Sequence, residues 1–199
     1  MRGIRRLAHF TREENLGAIL RDGIVPRMQL EVANTPFLAN DLHRLDGFRN
    51  ASCFSIEHPN YKMFYRLRME NPATNWCVIV CRTELLSEIP CAYCVDNAAA
   101  NSVTGIHIQD RMGEAAFHKL FDEYAGKPSR MEMGIPREYP TNPQAEILAF
   151  GTVSPRYFFG VACNTEAQRI RLSGAFPGTD FRYLPQYFSP RSDYAHWRA

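Results

Sequence analysis

Apolar positions along this chain fall in short runs whose period changes from element to element. Leu7-Ala8-His9-Phe10 has the look of a short strand, and Thr11-Arg12-Glu13-Glu14 after it fits a capping box in which the Thr11 hydroxyl accepts from the Glu14 N–H. Leu16, Ile19 and Leu20 then recur at helical spacing, and Gly23 suits the helix end. Pro26 stops any regular element, and the polar, weakly periodic residues 27–50 predict a long loop with at most one helical turn. Cys53–Ile56 predicts a strand, and His58-Pro59 predicts the start of a helix with Tyr61 and Tyr65 on one face. Trp76–Arg82 is the clearest central strand, because apolar residues occupy both of its faces. A helix over 111–124, strands over 146–150, 157–163 and 181–184, and a helix over 165–173 complete the pattern. Helices come early, strands interleave and no βαβ rhythm repeats, so the fold class is α+β.

The strand over 146–150 carries the anomaly. Tyr139-Pro140-Thr141-Asn142-Pro143-Gln144 is a stiff polar loop that delivers Glu146 into the apolar run Ile147-Leu148-Ala149-Phe150. Alternation puts Glu146 on the face of Leu148 and Phe150. A carboxylate there is costly unless it is paired, solvated by a cleft or kept for chemistry.

Composition narrows the setting. With 199 residues, 45% of them hydrophobic and 12% aromatic, the chain can bury one core, and no linker or repeat divides it, so a single domain over 1–199 is expected. A net charge of +2 predicts no general attraction to nucleic acid, although Arg2, Arg5, Arg6 and Arg12 form a local basic cluster that is either a solvated face or a phosphate contact. No apolar signal region follows the basic first residues, which predicts a cytoplasmic chain. The six cysteines include Cys91 and Cys94 at zinc-site spacing, but Cys77 and Cys81 lie in a buried-strand pattern, so reduced thiols and no metal are expected. No GxGxxG or GxxxxGK[ST] motif is present, which argues against a Rossmann or P-loop nucleotide site. Paired-carboxylate chemistry lacks a second well-placed acid, and no serine or cysteine nucleophile stands beside a base. His9 is either structural or a second site residue, and Thr11 is either a cap or a ligand contact.

His9-Phe10-Thr11, Asn15-Leu16, the Ile19–Ile24 turn and Gln144-Ala145-Glu146 before an apolar strand together resemble the DarT family of DNA ADP-ribosyltransferases. Pro59–Tyr65 and Asn97-Ala98-Ala99 add to the match, which spans roughly residues 5–155 and leaves the tail contributing little. The resemblance implies an ADP-ribosyltransferase-like fold in which two small, roughly orthogonal sheets form an NAD cleft. It also implies an NAD-dependent enzyme that attaches ADP-ribose to a base of single-stranded DNA. Such a protein is the toxin of a toxin–antitoxin pair whose antitoxin carries a macrodomain. By position, Glu146 is then the catalytic residue, and His9, Thr11, Asn15, Tyr61 and Tyr65 bind NAD. Thymine-modifying members carry an arginine in the segment that here is His58–Met63. Its absence favours guanine as the base, with Lys62, Arg44 or Arg49 as the replacement cation. Tyr139, Thr141, Asn142 and Gln144 face the nucleic acid on this reading, Tyr139 either stacking on a base or packing its loop. An RNA, protein or water acceptor and a non-catalytic binding module are the alternatives.

Overall fold

A computed structural model describes residues 3–40 and 44–198; Arg2 of the basic cluster and Asp41 of the long loop lie outside the described residues. The strands are β1 (Leu7–Arg12), β2 (Ala51–Ile56), β3 (Trp76–Cys81), β4 (Cys91–Cys94), β5 (Glu146–Phe150), β6 (Phe158–Cys163) and β7 (Phe181–Tyr183). The helices are α1 (Leu16–Asp22), α2 (Arg27–Val32), α3 (Tyr61–Glu70), α4 (Leu85–Glu88), α5 (Asn101–Thr104), α6 (Gly113–Lys119) and α7 (Glu166–Ala175), joined by short 3₁₀ turns. Among the described residues, no helix is long and apolar enough to cross a membrane.

The strands form one seven-stranded mixed sheet in the order β4-β5-β2-β1-β3-β6-β7, with only the β6–β7 pair parallel. The two expected sheets are therefore joined, and the joint is narrow. β1 and β2 pair only at Leu7–Ile56 and Ala8–Ser55. Beyond those pairs they part, β1 staying with β3 through Arg12 and β2 staying with β5 through Ala51. The gap that opens between them is the cleft.

Alternation along the strands builds the core. On β3, Cys77, Ile79 and Cys81 enter a cluster with Leu16, Leu120, Phe121 and Leu172, while Trp76, Val78 and Val80 enter a second one with Phe64, Leu67 and Tyr187. Both faces are thus covered, which explains the unbroken apolar run. On β5, Ile147 and Ala149 join the first cluster and Leu148 a third with Ala92, Cys94 and Val103. Cys91 and Cys94 fall into different clusters, so their spacing does not bring the thiols together. Among the described residues, no group of three or more His, Cys, Asp or Glu could hold a metal.

Several local expectations are corrected. The capping box does not form, because Thr11 continues β1 opposite Cys77 and its hydroxyl accepts from the Asn15 side chain at 3.3 Å. The loop over 27–50 contains α2, with Pro26 as its N-cap. Pro59 lies ahead of α3 rather than in its first turn, and Asn60 caps the helix, its side chain accepting from Met63 N–H at 3.2 Å. The helix expected over 111–124 shortens to α6, because Met112 is extended and bridges to Ala92. Gly23 does end α1 as expected, with φ +92°, where a Cβ would stand 2.4 Å from the Val153 carbonyl oxygen.

Candidate active site

Glu146 opens β5 and is 5% exposed. Three donors from two other parts of the chain surround it. The Asn60 and Asn97 side-chain amides both donate to Oε1 at 3.1 Å, and the Ala98 N–H donates to Oε2 at 2.9 Å. Asn60 is held by its capping bond to Met63 N–H, and Asn97 by accepting from Ala99 N–H at 3.0 Å, so neither amide can turn its oxygen inward without losing a bond. The cage offers hydrogens only, which suits an ionised carboxylate. Burial nevertheless pushes the Glu146 pKa up to about 7, with Asp46 adding to the rise and Ala98, Asn60 and Arg44 opposing it. Asn60, Asn97 and Ala98 were not singled out as site residues from sequence; the asparagine ahead of a helix was the available signal.

Glu146 lines a cavity of about 900 Å³ in the gap between β1 and β2. His9 lines it too, standing one residue past the last β1–β2 pair, and its Nδ1 reaches the Cys53 carbonyl oxygen at 2.8 Å across the opening. A carbonyl only accepts, so Nδ1 carries the hydrogen and Nε2 keeps a lone pair. Burial lowers the His9 pKa, with Arg44 adding to the effect, and keeps the ring neutral at pH 7.

Thr11 and Asn15 also line the cavity. Asn15 clasps the loop above it: Oδ1 accepts from Leu38 N–H at 2.9 Å and Nδ2 donates to the Leu38 carbonyl at 2.8 Å. Asn40 fastens the same loop, donating to the Phe10 carbonyl at 2.9 Å. Residues 35–40 form one wall of the cavity.

The cations are distributed differently from expectation. Arg44 lines the cavity but is bidentate to Asp46, at 3.0 and 2.8 Å, and also donates to the Ala51 and Phe48 carbonyls. Lys62 also lines it, and its ammonium donates to the Trp197 carbonyl at 3.0 Å. Arg66, one turn further along α3, is a cavity residue the sequence reading passed over, and its pairing with exposed Glu70 at 3.8 Å is long. Tyr61 and Tyr65 do not line the cavity. Tyr61 is buried beside His58, and Tyr65 is 56% exposed on the outer side of α3, whose cavity-facing residues are Lys62, Met63 and Arg66.

Of the loop residues expected to face nucleic acid, only Gln144 reaches the cavity, donating to Asp96 at 3.3 Å. Thr141 is buried, its hydroxyl donating to the Asp122 carbonyl at 2.6 Å and accepting from Arg130 at 2.6 Å. Asn142 is buried, accepting from Gln144 N–H at 2.9 Å. Tyr139 packs against the cluster of Met133, Ile135 and Trp197, with Arg191 over its ring at 5.4 Å. Two guanidinium groups consume this loop's acceptors, and sequence pattern alone does not locate them. Arg191 is buried, bidentate to Asp193, and donates to the Pro140 carbonyl at 2.9 Å. The tail that added little to the resemblance thus braces the loop leading to Glu146.

The family model described as ssDNA thymidine ADP-ribosyltransferase, DarT, matches residues 8–196. Among solved structures, Thermosipho africanus DarTG in complex with ADP-ribose is similar, with a TM-score of 0.65 at 16% identity over 92% of this chain and 51% of that one. The chain therefore spans about half the length of that protein. Thermus sp. 2.9 DarT in complex with NAD+ is similar with a TM-score of 0.52 at 13% identity, over 92% of this chain and 97% of that one. The same protein with ADP-ribosylated ssDNA gives 0.51 at 12% identity, over 92% and 96%. A comparison with curated proteins found no match. At these identities the structural likeness shows the fold.

Proposed function

The chain belongs to the DarT family of NAD-dependent single-stranded-DNA ADP-ribosyltransferases, and on that premise we propose that Glu146 is the carboxylate with which it transfers ADP-ribose from NAD to a DNA base. The observation that carries the reading is the cage itself: a buried carboxylate, surrounded only by donors, on the wall of a cavity large enough for a dinucleotide. NAD supplies the ADP-ribosyl group, and nicotinamide leaves with the electron pair of the broken bond. Glu146 accepts a hydrogen bond from the ribose 2′-hydroxyl and stabilises the positive charge that develops on that sugar. It then takes the proton from the attacking base nitrogen, a task for which a pKa near 7 is well placed. His9 offers its Nε2 lone pair to a ribose hydroxyl, and Thr11 shapes the wall beside it. Asn15 holds the loop over the nucleotide. Gln144 reads the edge of the acceptor base.

Guanine is the favoured base, because the His58–Met63 segment lacks the arginine that the thymine-modifying pattern carries there. Thymine is the second reading, favoured by the description of the matching family model. The resemblance further supports a cytoplasmic toxin whose partner antitoxin, a macrodomain protein, removes the modification.

The test is to incubate the chain with NAD and single-stranded oligonucleotides in which one base type at a time is present, then weigh the products. One added ADP-ribose on the guanine-containing strand alone is expected. Modification of thymine alone would reverse the base assignment. Modification of RNA or protein in preference to DNA would change the acceptor class, and no nicotinamide release would leave a binding module.

A further inference from the structure

On the same sheet, four strands from Glu146, a patch of arginine side chains around one exposed aromatic ring lies outside the cavity. Ser55 pairs with Ala8, Ala8 with Val80, and Val80 with Gly160, while Glu146 stands one residue beyond the Phe54–Ile147 pair. That row ends at a β-bulge. Val80 faces Gly160 and Cys81 faces Phe158, so Phe159 between them has no partner in the ladder. A bulge re-aims the side chain of its extra residue, and Phe159 is 47% exposed. Two guanidinium groups flank its ring, Arg82 at 5.5 Å and Arg182 at 5.3 Å from the centroid. Arg6 and Arg182 line the same small recess beside Phe159, whereas Tyr183 lies on the other face of β7 with Phe181.

These charges are available. Arg82 has no ion pair among the described residues. Arg182 pairs with Asp180, but both are exposed, and such pairs are weak and readily exchanged. Arg6 is shared between the Tyr187 hydroxyl, 3.2 Å away, and Glu57, 3.7 Å away. Like charges gathered around an exposed ring suit a polyanion whose bases can stack, since every base has a π-face and guanidinium groups attract phosphate.

We propose that this patch is a second contact for single-stranded DNA, holding the flank of the strand whose target base lies at Glu146; the inference deepens the DNA reading above and rests on it. Four inter-strand steps of ~4.8 Å give a separation of about 19 Å. At the stacked rise of ~3.4 Å that distance takes about six nucleotides, and an extended strand covers it in fewer. A dinucleotide can occupy one site but cannot reach both.

The experiment is fluorescence anisotropy of the full chain with a labelled single-stranded 20-mer, a dinucleotide and a duplex 20-mer, without NAD. The single-stranded 20-mer is expected to bind at least about tenfold more tightly than either other ligand. Phe159→Ala and Arg82→Ala are each expected to weaken 20-mer binding about tenfold, ~1.4 kcal/mol, and Phe159→Trp to retain it. Arg82→Ala also lowers the salt slope by about 0.7. Because Arg82 is exposed, that variant carries the test should Phe159→Ala fold poorly. Unchanged 20-mer affinity in Arg82→Ala, or no length dependence in the parent chain, overturns the proposal. Nicotinamide release is measured separately: a parent that binds as described but releases none refutes the transfer reading and leaves the patch standing.

Discussion

Replacing Asn60 with alanine removes two hydrogen bonds that belong to different levels of the structure. One caps α3 through Met63 N–H, and the other is a donor to Oε1 of Glu146. Losing the cap costs about 1 kcal/mol at any pH. Losing a donor to a buried charge costs ~1.5–3 kcal/mol, but only while Glu146 is ionised. At ~1.4 kcal/mol per pKa unit, the Glu146 carboxyl moves up by about 1–2 units from its starting value of about 7. The sign follows from that direction. The folded-state pKa is already raised above its ordinary value of 4.5, so the stabilisation is complete below 4.5 and lost as pH rises through 7. In Asn60→Ala the loss continues to higher pH. Urea unfolding should therefore show a deficit of about 1 kcal/mol at pH 5 and roughly 2.5–3.5 kcal/mol at pH 9. The acidic limb of the kcat/KM profile, expected at about pH 7 in the parent, should move up by the same 1–2 units. Asn60→Asp keeps a capping oxygen yet places a second carboxylate at Glu146, so it should move the limb upward without the cap deficit. An unmoved limb, with activity reduced equally at every pH, would refute the electrostatic role of Asn60 and leave it a helix cap.

Three further outcomes follow from other contacts. Asn15→Ala frees the loop at Leu38 and should raise the KM for NAD about tenfold with stability changed by ~1 kcal/mol or less, read by steady-state kinetics and thermal melting. Arg191→Met strands Asp193 and releases the Pro140 carbonyl, so urea unfolding should show a loss of about 3–5 kcal/mol. Tyr65→Ala, at an exposed position outside the cavity, should leave the KM for NAD unchanged within twofold, against its expected part in NAD binding.

Period-two alternation made β3 and β5 readable from the chain, because burial on both faces leaves a continuous apolar run. The same alternation placed Glu146 on the face of Leu148, where the structure also puts it. What surrounds the carboxylate was not readable in that way. Its donors stand 86, 49 and 48 residues away along the chain, and no local period links them. The joint between the sheet halves rests on two residue pairs, too few to imprint a pattern. Thr11 looked like a cap because its neighbours fit a capping box, yet the six-pair ladder with β3 keeps it extended. Polar character suggested that Thr141 and Asn142 face a ligand. Arg130 and a tail arginine 50 residues away instead draw that loop's acceptors inward.

The most direct measurement is the mass of a single-stranded oligonucleotide after incubation with NAD and either the parent chain or Glu146→Gln. The exchange keeps the side chain's size and removes its charge and basicity. The parent should add one ADP-ribose per strand, and Glu146→Gln should add none over the same interval while melting as a folded protein. Modification by Glu146→Gln at the parent's rate would contradict the role assigned to the caged carboxylate.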